Sequence, residues 1–168
     1  MPKEKLIIKR NIHNYSSTEE VINDILKERF SMDEYLSNLG SLEDPFKFKD
    51  MSVAVEKITY YIKNNKSICV YGDYDVDGTT SVYFTFNLLN GLVKALNSKS
   101  KIGYYIPHRE KEGYGVNSKA LDKIRLEDNF DLVISVDCGI SSYNEVKHAK
   151  EIGLDFIVTD HHECATCC

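Results

Sequence analysis

From residue 67 to residue 159 the sequence alternates short apolar, β-branched runs with segments of helical periodicity, and this alternation constrains the fold more than any other feature. The runs at 68–71, 102–106, 132–136 and 156–159 are short and rich in valine, isoleucine and aromatic residues, as strands are. Between them, residues from about 79 to 96 read as a helix and a second helix follows Asn117. A third opens at Ser142-x-x-Glu145 and is closed by Gly153. Strands separated by helices form βαβ units, so the expected class is α/β: a Rossmann-like open parallel sheet with flanking helices. Parallel strands point their C-terminal ends the same way.

Upstream of this region the pattern is helical. Ser17-x-x-Glu20 has capping-box spacing, and Val21, Ile22, Ile25, Leu26 and Phe30 recur at helical spacing after it. A short helix over 33–39, ended by Gly40, precedes a turn at Glu43-Asp44-Pro45. Met51, Ala54, Val55, Ile58, Tyr61 and Ile62 then form one apolar stripe. The expected organisation is a helical arm over 1–48, a main domain over 49–163 and an atypical tail over 164–168. No apolar run approaches the roughly 18 residues that a membrane span needs, and no apolar signal core follows Met1-Pro2-Lys3-Glu4-Lys5. No membrane partner and a cytoplasmic location are therefore expected. Three of the five cysteines fall in the last five residues, which is no disulfide framework.

Three of the four runs lead directly into side chains that do chemistry. Residues 68–71 enter Gly72-Asp73-Tyr74-Asp75-Val76-Asp77-Gly78, residues 132–136 enter Asp137, and residues 156–159 enter Asp160-His161-His162. The carboxyl ends of strands line the ligand crevice of an open α/β sheet, so separate segments deliver carboxylates and imidazoles to one place. Like charges crowded there repel unless a cation is bound. Carboxylates with some imidazole suit manganese or magnesium better than a structural zinc.

Taken singly, each piece has a plainer reading. Asp73, Asp75 and Asp77 are turn formers that Gly78 closes, Asp137 caps a loop, and the histidines are surface residues. Asp-x-Asp-x-Asp-Gly also matches the start of an EF-hand loop, but Phe84 stands where the bidentate glutamate belongs and the flanks are strand and helix. Joint placement after strands favours the metal reading. A net charge of −5 argues against a chain-wide basic coat for a polyanion, which must then be held locally, where bound divalent metals can supply the positive charge.

Gly78-Thr79-Thr80-Ser81 reads as a helix opening whose free N–H groups, with the Thr79 hydroxyl, suit a phosphate, although an ordinary helix start looks the same. No G-x-G-x-x-G follows the first strand, which argues against a dinucleotide site. Gly139 permits a tight turn after Asp137. The segment 107–115 leaves the second strand at the same edge: Arg109 can fork onto phosphate oxygens, His108 can assist, and Tyr114 offers a stacking face. Its plainer reading is a solvated connection carrying a charge run.

These motifs together resemble the N-terminal part of the RecJ-type exonucleases in the DHH phosphoesterase superfamily. The likeness is carried by Val70-Tyr71-Gly72-Asp73-Tyr74-Asp75-Val76-Asp77-Gly78, Val136-Asp137-Cys138-Gly139 and Thr159-Asp160-His161-His162-Glu163, in the family's order. Arg109 with Glu112-Gly113-Tyr114-Gly115, and Leu42-Glu43-Asp44-Pro45 with Asp50-Met51, favour the RecJ type, so the likeness spans about residues 26–163. The resemblance implies that Asp75, Asp77, Asp137 and His161 ligate manganese or magnesium, with Asp73 nearby. It also implies that His162 faces the scissile phosphate and that Asp160 orients the neighbouring histidines. The implied reaction is two-metal phosphodiester hydrolysis that releases 5′ mononucleotides from single-stranded DNA during repair and recombination. A single-strand-binding protein and a helicase are the implied partners.

The sequence also departs from that family. A further metal-binding aspartate, a second lobe and an oligonucleotide-binding domain that the family carries later are not in these 168 residues. Cys164-Ala165-Thr166-Cys167-Cys168 reads as a truncated or frame-disrupted tail before it reads as a zinc site. The chain alone is therefore expected to be inactive. The competing readings are a smaller DHH enzyme acting on short RNA or cyclic dinucleotides, a pyrophosphatase of the same superfamily, and a non-catalytic metal- or nucleotide-binding module.

Overall fold

Ile68–Gly72 (β1) and Leu132–Val136 (β3) are buried along their whole length, as central strands of a parallel sheet must be. Ile102–Tyr105 (β2) and Asp155–Thr159 (β4) flank them in the order β2-β1-β3-β4, every pair parallel. This is the expected class. The computed structural model describes residues 16, 17, 19, 20 and 43–164, and the chain divides into two units, Met1–Lys49 and Asp50–Cys168.

The sheet belongs to the second unit and carries apolar side chains on both faces. On one face Ile68, Val70, Leu132, Ile134 and Val136 pack with Tyr61 and Ile62 of helix Met51–Lys63 (α1) and with Val82 and Leu89 of helix Val76–Ala95 (α2). The alternate residues Cys69, Tyr71 and Val133 face Ala120 and Leu121 of Ser118–Asp122 (α4) and Ala149 of Tyr143–Glu151 (α5). The period of two that separates these sets is the pleat of the strand. Each fully buried aliphatic side chain contributes about 1.5–3 kcal/mol.

Several boundaries differ from the sequence expectation for identifiable reasons. Helix α2 begins at Val76 because Asp75 caps it, its Oδ1 accepting the Gly78 N–H at 2.9 Å. The amides of Gly78 and Thr79 are thereby engaged, the latter by the Asp75 carbonyl at 3.0 Å, so the expected free N–H groups of 78–79 lie inside the helix. The connection after β2 contains a helical turn, Arg109–Glu112 (α3). The helix after Asn117 is capped by the Asn117 side chain and continues as a π-helical turn, Lys123–Glu127. Ser142 precedes α5 as expected but makes no side-chain cap bond.

In the first unit, the Glu20 N–H donates to Ser17 Oγ at 3.2 Å, one half of the expected capping box, while the Glu20 carboxylate bonds Ser16 instead. Asp44 caps the short 3-10 helix Pro45–Lys47 by accepting from the Phe46 N–H. The helices expected over 21–30 and 33–39, and residues 165–168 of the tail, lie outside the described residues. Among the described residues no helix is long and apolar enough to cross a membrane.

Candidate metal centre

Strand register builds the site. Gly72 pairs with Val136, and Val136 pairs with Thr159, so the residues that follow these three ends, Asp73, Asp137 and Asp160, leave the sheet at one level. The order β2-β1-β3-β4 places this level where the chain runs from β1 outward in both directions, the crevice position of an open sheet. The backbone there is unusual. Asp137 adopts a left-handed conformation, φ 59°, with its N–H held by the Thr159 carbonyl at 3.0 Å. Gly139 follows at φ 111°, where a side chain would also meet Ser135 Oγ.

Two carboxylates of the cluster are buried: Asp73 is 2% exposed and Asp137 8%. Burial pushes the Asp73 pKa above its ordinary value. The Tyr74 N–H, donated to Asp73 Oδ1 at 2.7 Å, opposes that shift, and the charges of Asp75 and Asp137 add to it. Carboxylates crowded in this way repel one another, and a bound cation would relieve that repulsion.

The two histidines are exposed but each is paired. His161 Nε2 lies 2.9 Å from Asp137 Oδ1, and His162 Nδ1 lies 2.7 Å from Asp160 Oδ1. Asp160 is fixed in turn, its Oδ2 accepting the Ile140 N–H at 3.0 Å and its Oδ1 the His162 N–H at 3.1 Å. Burial works against the Asp160 charge, yet these bonds and the His162 ring hold its pKa below the usual carboxylate range. The bond from Asp160 raises the His162 pKa in return. One ligand atom each from Asp137, His161 and His162 lies within 4.8 Å of the others. A carboxylate with two imidazoles is a donor set that manganese accepts.

The remaining sequence candidates lie on the segments that follow β1 and β2. Asp75 is exposed at the cap of α2, close enough to His162 to raise its pKa, while Asp77 is exposed in the first turn of α2. Neither belongs to the trio. The Thr79 hydroxyl donates back to the Asp75 carbonyl at 2.7 Å. The Tyr114 ring meets His162 edge-on at 6.3 Å. Arg109 packs its guanidinium over the Tyr74 ring, and His108 is exposed, its N–H donated to Glu112 Oε2 at 2.7 Å. A cleft of about 360 Å³ opens beside Asp137 and His161, walled by Ser81, Phe84 and Thr85 of α2.

Sequence reasoning missed how the rim is held. Glu112 takes the Tyr105 hydroxyl at 2.5 Å as well as the His108 N–H, so this member of the charge run is an internal tether. The Tyr71 hydroxyl donates to the Gly115 carbonyl at 3.0 Å and anchors the far end of the same segment. An aromatic residue in an apolar strand carries no signal of such a bond. A glutamate among charged neighbours carries none either.

A family model described as the DHH family, N-terminal domain, matches residues 67–168. The single-stranded-DNA-specific exonuclease RecJ of Bacillus subtilis is 45% identical over 120 residues, which are 71% of this chain and 14% of that protein. The protein of the same description from Escherichia coli is 36% identical over 109 residues, covering 65% of this chain and 18% of that one. The chain thus spans less than a fifth of the length of these curated relatives. Among solved structures, exonuclease RecJ bound to manganese aligns with a TM-score of 0.60 at 34% identity, over 71% of this chain and 29% of that one. RecJ in complex with Mn2+ from Thermus thermophilus aligns at 0.53 and 28% identity, over 71% of this chain and 16% of that one.

Proposed function

The chain belongs to the DHH family, and we propose on that premise that the whole protein hydrolyses phosphodiester bonds in single-stranded DNA, releasing mononucleotides from the 5′ end. The observation that carries this reading is the convergence of Asp73, Asp137 and Asp160 on one register level, with His161 and His162 brought against Asp137. The relatives named above are single-stranded-DNA-specific exonucleases, and the two solved structures named above are manganese complexes.

Asp137, His161 and Asp75 hold the cation in this reading, with Asp77 joining from the first turn of α2. Manganese, once bound, supplies positive charge against the phosphoryl oxygens and lowers the pKa of an attacking water. Asp160 keeps His162 with Nδ1–H directed at its carboxylate, so Nε2 is the nitrogen offered to the scissile phosphate. Asp73, buried and of raised pKa, holds the neighbouring carboxylates in a field that favours cation binding. Arg109 and His108 approach phosphate oxygens from the rim, with Tyr114 as a stacking face.

Work in DNA repair and recombination, in the cytoplasm and alongside a single-strand-binding protein and a helicase, belongs to the same proposal. So does the division into an arm over 1–48 and a DHH domain over 49–163. A net charge of −5 argues against a chain-wide basic coat for a strand, so alone the 168 residues are expected to bind it weakly and turn it over little. The test is incubation of a chain carrying the relatives' full length with 5′-labelled single-stranded DNA and manganese. Labelled mononucleotide is the expected product. Cleavage confined to short RNA or cyclic dinucleotides overturns the DNA reading in favour of a smaller DHH activity, and tight metal binding without any turnover overturns the enzymatic one.

A further inference from the structure

We infer that Tyr74 is a positioning residue whose ring holds the Arg109 guanidinium ready for a nucleic-acid phosphate at the rim of the metal centre. The inference rests on the proposed function, since it assumes that phosphates enter this site. Arg109 is exposed at the start of α3, and its Cζ lies 5.3 Å from the centroid of the Tyr74 ring. Among the described residues no carboxylate is in ion-pair contact with it, whereas the other arginine described, Arg125, is tied to Asp131 at 2.9 Å. A guanidinium neutralised by a carboxylate is a weak phosphate ligand. One supported only by an aromatic face keeps its donors and its charge for an incoming anion.

Tyr74 is suited to this task by its place in the chain. It lies between Asp73 and Asp75, and its N–H is bound to Asp73 Oδ1 at 2.7 Å, so the backbone that fixes two carboxylates of the site also fixes the ring. The Tyr74 hydroxyl makes no hydrogen bond among the described residues, and it is the ring face that meets Arg109. The other side of Arg109 is constrained as well. Helix α3 is tethered at its C-terminal end by Glu112, which binds the Tyr105 hydroxyl and the His108 N–H. The guanidinium thus stands between two braced segments, one from β1 and one from β2. Holding a flexible side chain near its bound position reduces the ordering cost of binding.

The experiment measures, in a chain carrying the relatives' full length, manganese-dependent affinity for a short 5′-phosphorylated oligothymidylate by fluorescence anisotropy at low ionic strength. Manganese affinity is followed separately by calorimetry. Tyr74→Leu is expected to weaken strand binding by roughly 3- to 30-fold, the scale of a cation–π contact, and Arg109→Ala, which removes the phosphate ligand itself, by at least as much. The double variant should be no weaker than Arg109→Ala, because the ring acts only through the guanidinium. Tyr74→Phe, which keeps the aromatic face and loses only the hydroxyl, should restore the affinity. Manganese affinity should be the same in all of them. An NMR readout is independent of binding: the Arg109 Nε–H resonance should carry a ring-current shift that Tyr74→Phe preserves and Tyr74→Leu removes.

Strand binding that depends on Arg109 but not on Tyr74 overturns the positioning role and leaves the proposed function standing. Loss of manganese affinity in Tyr74→Leu also overturns it, by showing that the residue acts through Asp73 and Asp75. Absence of any manganese-dependent strand binding by an unaltered chain of the relatives' full length overturns the proposed function, and this inference with it.

Discussion

Asp75 accepts the Gly78 N–H at 2.9 Å and also stands beside the histidines, so Asp75→Ala removes a helix cap and a candidate ligand together. Two substitutions separate these effects. Asp75→Ala should cost about 1 kcal/mol of stability in thermal or urea unfolding, while Asp75→Ser, which still caps, should cost little. Both should abolish manganese-dependent hydrolysis in a full-length chain, and near-normal turnover by either would remove Asp75 from the ligand set. Asp137 allows a related test. Asparagine tolerates its left-handed backbone, and Asp137→Asn removes a buried charge beside Asp73. The variant should melt at or above the temperature of the unaltered chain without metal, yet lose the rise in Tm that manganese confers. An undiminished rise would mean that Asp137 is no ligand. These aspartates were legible in the sequence because each follows a strand. The Arg109–Tyr74 contact was not, since it joins residues from two segments whose proximity depends on β1 pairing with β2.

At the scale of elements, the tight junction between β1 and α2 determines where the carboxylates stand. A Cβ on Gly78 would lie 2.5 Å from the Asp73 carbonyl oxygen and 2.8 Å from its Cα, backbone atoms that cannot rotate aside. Gly78→Ala should therefore push the helix from the strand end and displace Asp73 and Asp75, at a cost of about 1–3 kcal/mol. Because the damage falls on the ligands, manganese affinity should drop along with Tm. A variant that melts lower but binds manganese normally would show that the junction can relax without moving the site. The four strands were readable because their apolar, β-branched runs are short and bounded. Helix starts were less so: Asp75 resembles a turn aspartate until its side chain is seen accepting the Gly78 N–H. The π-helical turn at Lys123–Glu127 had no sequence signal. It depends on the Asp128 N–H reaching the Lys123 carbonyl at 3.0 Å, an irregularity that side-chain periodicity does not encode.

Across the whole sheet, the edge opposite the site carries a second set of carboxylates whose pKa values are shifted in the opposite direction to that of Asp73. The α/β class followed from the alternation of patterns, but this polarity did not, because it depends on which acidic residues find cations in space. Burial works against the Asp131 charge, yet the Ser67 N–H and the Arg125 guanidinium hold its pKa below the ordinary 3.8. Burial likewise opposes the Asp155 charge, and the Tyr61 hydroxyl with the Lys57 ammonium overcomes it. A carboxyl whose folded pKa is depressed stabilises the fold above its unfolded pKa, and that contribution is lost as pH falls through the folded value. Asp73, whose folded pKa is raised, acts with the opposite sign: its penalty near neutrality is relieved as pH falls toward 3.8. The metal-free Tm should therefore rise slightly from neutral into mildly acidic pH, then fall below about pH 4 as Asp131 and Asp155 take up protons. Asp131→Asn combined with Asp155→Asn should melt a few degrees lower at neutral pH and flatten the acid limb, a modest effect because both ion pairs are partly exposed. Asp73→Asn should diminish the mildly acidic rise and leave the part that comes from His162, whose folded pKa is also raised. Thermal melts in a chelator across this range decide the matter, and a pH dependence that Asp73→Asn leaves unchanged would refute the raised pKa of Asp73.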